Sequence, residues 1–229
     1  MTRVALALAV FLAAAGATPE QLDSQYVLQR YAVAIETVAV PKATIFTYTV
    51  SQAGPGNIDQ RHVIYRSGTH VRDETLAVDG VALAHKIVRF SERDDRYDVT
   101  RLAPRTTAYE LLFLRTLKDG RHVDYEYDAS PLVRVADATV ERVTIDGLKY
   151  LPRDVRFTTS ASDARGSAHV SYAQFGKYWM PVLAEITAVV DGKPARERIV
   201  WSDYRFPESL PPSTFEPPRP LPHPSLPPI

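Results

Sequence analysis

The segment RHVDYEYD, residues 121–128, carries the side chains best suited to chemistry in this sequence. On a β-strand alternate residues share a face, so His122, Asp124, Glu126 and Asp128 would lie side by side. Imidazole and carboxylate groups are ligands of zinc and calcium sites. The valine and tyrosines between them would form an apolar opposite face, which also fits a half-buried strand with a solvated acidic side. Because ligands on one flat face seldom converge without a second element, we expect that solvated face and no metal.

Other candidates for catalysis are weaker. Residues 91–98, SERDDRYD, mix acids with arginines and indicate a solvated turn more than paired catalytic carboxylates. The six histidines lack HExxH spacing, and the sequence contains no GxSxG and no Gly-rich phosphate loop. A cysteine nucleophile is excluded because the chain has no cysteine. A Ser-His-Asp triad drawn from distant strands stays open, but we predict no catalytic residues, no cofactor and no enzyme activity.

Composition describes an ordinary globular chain without a nucleic-acid partner. Its 27 basic and 27 acidic residues cancel, and no basic stripe stands out. Apolar residues make up 45% and charged residues 24%. Without cysteine there is no disulfide framework, so the fold must depend on a hydrophobic core. The absence of cysteine also leaves no residue for a lipid anchor, and we expect a monomer with at most peripheral membrane contact.

Residues 1–17 have the pattern of a secretory signal. Arg3 precedes an apolar run from Val4 to Ala15, and Ala15-Gly16-Ala17 fits a small-x-small cleavage site. The alternative is a short anchoring helix, although this run is too short to span a bilayer. We therefore expect cleavage near Ala17 and a periplasmic protein.

Two helices are expected from the sequence. Thr18, Pro19 and Gln21 suit a helix start, apolar residues then recur at helical spacing to Val38, and Pro41 ends the pattern. We predict an amphipathic helix over 19–38. Thr107 to Glu110 has capping-box spacing before an apolar run, which predicts a short helix over 108–117, with a buried strand as the alternative.

The rest of the chain alternates with a period of two, which is typical of antiparallel strands. Asp-Gly pairs at 79–80, 119–120, 146–147 and 191–192 indicate tight hairpin turns. A hairpin pattern over 149–175 is repeated over 177–206, and each strand has one apolar and one polar side. Such hairpins extend one meandering sheet that twists and curls. We expect an α+β fold: a curved antiparallel sheet forming a half-open β-barrel, with the two helices as plug and lid.

The order of these elements, with the segments LAVDG and DYRFPESLPPSTFEPP, resembles the periplasmic lipoprotein-carrier superfamily. This superfamily includes LolA-like and LolB-like proteins and the first domain of RseB-type envelope-stress regulators. The resemblance implies one half-barrel domain over 18–215 that cradles acyl chains beneath a helical lid, followed by a Pro-rich extended tail over 216–229. It also implies that Arg72, in VRDE, matches a family arginine that holds the lid.

The expected function is therefore a non-enzymatic carrier or sensor of a lipid or lipidated protein. Alternatives are an interaction module that contacts another envelope protein, as in RseB-type regulators, and a hydrolase on a curved sheet. The two tryptophans either pack in the core or stack on a ligand. The apolar strand faces and the mid-chain segment give the predicted ligand lining: Phe46, Tyr48, Val50, Leu112, Phe113, Val155, Phe157, Val170, Tyr172, Trp179, Ile186 and Trp201.

Overall fold

The computed structural model describes residues 19–54, 57–92, 103–133, 138–159 and 164–217. The predicted signal segment, Thr18, most of the 91–98 turn and most of the Pro-rich tail lie outside these ranges. Among the described residues, no helix is both long and apolar enough to cross a lipid bilayer.

One helix and eleven strands make up the described chain. The predicted N-terminal helix is confirmed as α1, Pro19–Thr37, which ends four residues before Pro41. The strands are β1 (Ala43–Ala53), β2 (Ile58–Ser67), β3 (His70–Val78), β4 (Val81–Glu92), β5 (Tyr109–Asp119), β6 (His122–Pro131), β7 (Ala138–Asp146), β8 (Pro152–Thr159), β9 (Arg165–Phe175), β10 (Tyr178–Val190) and β11 (Lys193–Arg205). A short 3-10 turn, Pro212–Phe215, follows the last strand.

All eleven strands belong to one sheet, in the order β4-β3-β2-β1-β11-β10-β9-β8-β7-β6-β5. Every neighbouring pair is consecutive in sequence except β1 and β11, the first and last strands. The expected antiparallel α+β architecture is confirmed, whereas the half-open barrel and the plug stay predictions. By internal contacts the chain divides into two compact units: unit 1 comprises Met1–Val40, Ser51–Asn57 and Asp98–Ile199, and unit 2 comprises Pro41–Val50, Ile58–Tyr97 and Val200–Ile229.

The hairpin turns lie where the sequence predicts them. Asp79 and Gly80 adopt φ angles of 51° and 74°, and Asp191 and Gly192 repeat these values. This pair of positive angles matches the right-handed twist of the flanking strands, and Gly reaches it at no steric cost. The repeated segment is confirmed as two successive hairpins, β8–β9 and β10–β11.

The mid-chain helix is wrong, because residues 109–119 form strand β5. Leu111 is 8% exposed and its neighbour Leu112 is 54% exposed, which is the alternation of a strand. Leu111 pairs with Ala129 and Tyr109 with Pro131 across the antiparallel ladder to β6. Of the capping-box segment, Thr107 and Ala108 instead belong to a turn, in which the Ala108 amide donates to the Arg105 carbonyl at 2.9 Å. A short apolar run fits either structure, and here the hydrogen bonds and apolar surface that β6 offers favour the strand.

Helix α1 supplies one side of the core of unit 1. Val27, Tyr31 and Ile35, four residues apart on one helix face, are each at most 4% exposed. They pack in one cluster with apolar residues from β5 to β8. Two tyrosine hydroxyls fix the helix position: Tyr31 donates to the Pro104 carbonyl at 3.0 Å, and Tyr127 donates to the Ser24 carbonyl at 2.6 Å. Burial raises the pKa of both phenols, so both stay protonated and remain donors.

Candidate ligand-binding site

The predicted lining residues of unit 1 divide between a filled core and a less covered continuation of the same face. Val155 is 1% exposed and belongs to the core cluster beneath α1. Phe113, Tyr172 and Trp179 pack against that cluster as partly buried residues. This part of the face is solid core, because the helix already occupies it.

Beyond β8 the apolar face continues with smaller side chains. Val155 pairs with Ala168 on β9, and Ala168 pairs with Ile186 on β10, so these three residues share one face. The predicted residues Val170 and Ile186 are half-buried there. Glycine and alanine at 166, 168, 184 and 188 leave this part of the face shallow.

A groove of about 510 Å³ lies at one end of the hairpins β8–β9 and β10–β11. Phe157, a predicted lining residue, contributes to it and is itself 8% exposed. Gly166 lies so close to Phe157 that a β-carbon would stand 2.8 Å from the phenyl Cζ and 2.8 Å from the Thr187 carbonyl oxygen. The complete lining is Glu141, Arg156, Phe157, Arg165, Gly166, Ser167, Thr187, Ala188, Val189, Pro194, Ala195 and Arg196.

Sequence reasoning missed the arginines of this groove. Arg156 alternates with Val155 and Phe157 on its strand, a pattern that we interpreted as the solvated side of the sheet, and we assigned no role to Arg165. The sequence alone does not show that these two arginines lie close together. The strand register shows it, because Arg156 lies opposite Ser167 and Arg165 lies opposite Thr158. The groove therefore combines a partly apolar lining with cationic side chains, an arrangement that suits an amphiphile.

An acid lies on the apolar side of β11. Glu197 is half-buried and lies on the same face of the strand as Ala195 and Ile199, which are 9% and 8% exposed. Burial raises the pKa of the Glu197 carboxyl above its usual value, because desolvation penalises the charged form.

The predicted residues of unit 2 form a second cluster. Phe46 is 3% exposed and packs with Ile64 and Val71, with Tyr48 and Trp201 partly buried against them. The Tyr48 and Trp201 rings meet edge-on with centroids 5.9 Å apart. Val50 is 8% exposed.

Leu112, in unit 1, differs from the other predicted lining residues. The alternation of strand β5 exposes 54% of it, on the side opposite Leu111.

Arg72 lies on β3 and joins that strand to the closing segment of the chain. Its Nη1 donates to the Thr214 carbonyl at 3.1 Å, and its Nη2 lies 2.5 Å from a carboxylate oxygen of Glu74. Its guanidinium also lies over the Tyr65 ring, 5.5 Å from the centroid. Arg72 thus fastens the 3-10 turn to the sheet in unit 2, and a lid-holding role stays a prediction.

Our expectation that the acidic face of segment 121–128 is solvated is wrong, because two of its carboxylates are buried. Asp124 is 6% exposed and Glu126 is 5% exposed. Arg153 contacts Asp124 at 2.6 Å, and Arg115 contacts Glu126 at 2.6 Å. Arg115 on the adjacent strand β5 and Arg153 on β8, two strands away, cover the two carboxylates, because a buried charge needs a partner.

His122, Asp124 and Asp146 are the one group, among the residues that the structure describes, whose metal-ligand atoms lie within 4.8 Å of one another. Their atoms already have protein partners: His122 Nε2 lies 2.8 Å from Asp124, and Asp146 accepts the backbone amides of Leu148 and Lys149 at 2.8 Å. The geometry is that of a network that braces the β7–β8 turn, and the absence of a metal stays a prediction. A polar cavity of about 370 Å³ adjoins it, lined by Asp119, His122, Asp146, Lys149, Leu151, Pro152, Arg153, His169, Val170, Ser171 and Tyr172.

Comparison with known proteins finds similarity at the level of structure. No model of a known protein family and no curated protein sequence matches the chain. A DUF1329 family protein from Desulfovibrio piger is 10% identical, with a TM-score of 0.53 over 84% of this chain and 96% of that one. A putative outer membrane lipoprotein-sorting protein domain from Vibrio parahaemolyticus is 15% identical, with a TM-score of 0.50 over 82% of this chain and 94% of that one.

A LolA superfamily protein from Nitrosomonas europaea is 13% identical and aligns over 84% of this chain and 97% of that one, with a TM-score of 0.46. Identities this low show a fold and not a shared activity. The likeness of fold therefore rests on the Desulfovibrio and Vibrio structures, the second of which is a putative outer membrane lipoprotein-sorting protein domain.

Proposed function

We propose that this chain is an exported, non-enzymatic binding protein of the cell envelope that holds the acyl chain of a lipid or lipidated protein. The groove at the ends of β8 to β11 carries this proposal. Its volume of about 510 Å³ falls within the range of small-molecule sites, and Val189 and Pro194 give it apolar surface. The likeness of fold between this chain and a putative outer membrane lipoprotein-sorting protein domain supports the same class of ligand.

The energetics favour an acyl chain over a small polar ligand. Each methylene removed from water contributes about 0.8 kcal/mol. Eight buried methylenes would contribute about 6 kcal/mol. The entropy of association reduces this value, so the net free energy corresponds to weak, reversible binding. Weak binding suits a carrier that must also release its ligand.

Uptake of the uncharged fluorescent probe N-phenyl-1-naphthylamine tests the proposal. The wild-type protein should bind the probe saturably, and Val189→Asp should weaken binding about tenfold or more because it replaces apolar lining of the groove by a charged group. Val81→Asp, at an exposed position of β4, makes the same change outside the groove and should leave binding unchanged. Circular dichroism confirms that each variant is folded.

Two results would contradict the proposal. The first is wild-type protein that takes up no probe and carries no lipid, by mass spectrometry, when purified from its native envelope. The second is Val189→Asp protein that binds the probe as tightly as the wild type, because the groove would then not be the site. Turnover in a broad screen of ester and glycoside substrates would instead support the hydrolase alternative.

A further inference from the structure

Three arginines border the groove without an ionic partner in the described part of the chain. Arg156 on β8, Arg165 on β9 and Arg196 on β11 are all exposed and all line it. The side chain of none of them forms an ion pair or a hydrogen bond with another described residue. By contrast, Arg142 on the same sheet lies 2.8 Å from Asp128, and Arg153 lies 2.6 Å from Asp124.

The strand register brings two of these charges together. Arg156 pairs with Ser167, and Arg165 lies two residues from Ser167 on the same strand and face. Diagonal neighbours of this kind are about 7–8 Å apart, a distance at which like charges on a surface repel. The hydroxyl groups of Ser167 on β9 and Thr187 on β10 form a hydrogen bond with each other at 2.9 Å, and neither residue carries a charge.

The lining holds one acid against these three arginines. Glu141 accepts a hydrogen bond from the Thr158 hydroxyl and forms no ion pair with a described residue. The groove therefore keeps an excess of two positive charges next to apolar surface from Pro194 and from Val189, which is 52% exposed. Such a combination of charges complements a ligand with an anionic head and an apolar chain.

We propose that the ligand of this groove is an amphiphilic lipid with an anionic phosphate headgroup, an inference that rests on the function proposed above. The planar guanidinium presents paired N–H donors that match two phosphate oxygens, and binding of the phosphate relieves the repulsion between Arg156 and Arg165. The acyl chain lies along the apolar part of the same groove. Headgroup charge then sets selectivity, and chain burial supplies most of the affinity.

Isothermal titration with two lysophospholipids of the same chain length, each below its critical micelle concentration, tests the inference. Lysophosphatidylglycerol carries a net negative charge, whereas the choline of lysophosphatidylcholine cancels its phosphate. The wild-type protein should bind the glycerol lipid roughly fivefold more tightly at low salt, since an exposed ion pair contributes up to about 1 kcal/mol. This preference should shrink at about 1 M salt, where screening acts within a few ångströms.

A triple variant, Arg156→Gln, Arg165→Gln and Arg196→Gln, should lose the preference, because its affinity falls more for lysophosphatidylglycerol than for lysophosphatidylcholine. The matched control changes three exposed arginines outside the groove, Arg89→Gln, Arg121→Gln and Arg205→Gln, and should keep the preference at the same net charge. Equal loss in both variants would overturn the inference, because a general charge effect would explain the selectivity.

The remaining outcomes separate this inference from the proposed function. If the wild type binds both lipids equally, the anionic selectivity is wrong and the acyl-binding function stands. If it binds neither lipid, both proposals fail. Inorganic phosphate should bind much more weakly than lysophosphatidylglycerol, and equally tight binding of phosphate alone would overturn the lipid as ligand.

Discussion

The Tyr127 hydroxyl donates to the Ser24 carbonyl at 2.6 Å and thereby links strand β6 to helix α1, 103 residues earlier in the chain. Tyr127 is 1% exposed, so no water replaces this bond if it is lost. The same ring belongs to the core cluster beneath the helix. The Tyr127 side chain thus packs against the helix and, through its hydrogen bond, fixes the position of the helix on the sheet.

Tyr127→Phe should lower the free energy of unfolding by about 1 kcal/mol, because it removes the buried hydrogen bond and keeps the ring. Tyr26→Phe is the control, since Tyr26 is 55% exposed and should change stability by less than about 0.5 kcal/mol. Urea unfolding followed by circular dichroism measures both values. Equal stability of the two variants would show that α1 does not depend on the Ser24 contact.

Adjacent leucines test the strand assignment of residues 109–119. Leu111→Ala should cost about 2–4 kcal/mol, because Leu111 is buried at 8% exposure, whereas Leu112→Ala should cost less than about 0.5 kcal/mol. The two variants make the same chemical change at neighbouring positions, so each is the control for the other. Similar losses for both, measured by thermal unfolding, would be inconsistent with alternation on β5.

Arg153 and Arg156 lie three residues apart on β8 and differ in their ionic contacts. Arg153→Gln should destabilise the protein by about 2 kcal/mol, because it leaves the buried Asp124 without its 2.6 Å partner. Arg156 has no ionic partner among the described residues, so Arg156→Gln should change the free energy of unfolding by less than about 0.5 kcal/mol. Chemical denaturation at pH 7 distinguishes them, and a reversed order would contradict the buried pair.

Arg72→Gln should release the closing segment of the chain. It removes the hydrogen bond to the Thr214 carbonyl and one of the two cationic partners of Glu74, leaving Lys86 at 2.9 Å. Hydrogen exchange of the amides at 214–216 should accelerate about tenfold or more, which corresponds to about 1.4 kcal/mol of lost protection. Arg89→Gln, on exposed β4, is the control, and unchanged exchange in Arg72→Gln would show that the segment is held by other contacts.

Glu197 predicts a pH dependence of stability. Its folded-state pKa is raised by burial, so the folded protein binds the proton more tightly than the unfolded chain does. The charged carboxylate therefore destabilises the fold at pH values above the raised pKa, and this penalty disappears as the pH falls through the folded and then the ordinary pKa.

Glu197→Gln should accordingly raise Tm at pH 7 and have little effect near pH 3.5. Glu185→Gln, at a site 56% exposed on the side chain, should show no such pH dependence. A stabilisation by Glu197→Gln that is the same at both pH values would rule out the ionisation as its cause.

The sequence by itself determined the features that depend on neighbouring residues. Helix α1 follows from apolar residues at helical spacing, and Pro41 marks the limit of that pattern. The β3–β4 and β10–β11 turns follow from Asp-Gly pairs, which reach positive φ within two residues. Alternation likewise identified the faces of Val155 and Ile186. These properties are local, because the period and the turn conformation are set within a few residues.

Tertiary structure decided the features that depend on a partner distant in sequence. Residues 109–119 became a strand because β6 supplied its hydrogen bonds and Tyr127 and Ala129 supplied its apolar neighbours. Asp124 and Glu126 became buried because Arg153 on β8 and Arg115 on β5 reach them across the sheet. The groove depends in the same way on register, since only the pairing of β8 with β9 brings Arg156 near Arg165. Hydrogen bonds and charges satisfied across strands outweigh local preference, and their partners cannot be identified from any single segment.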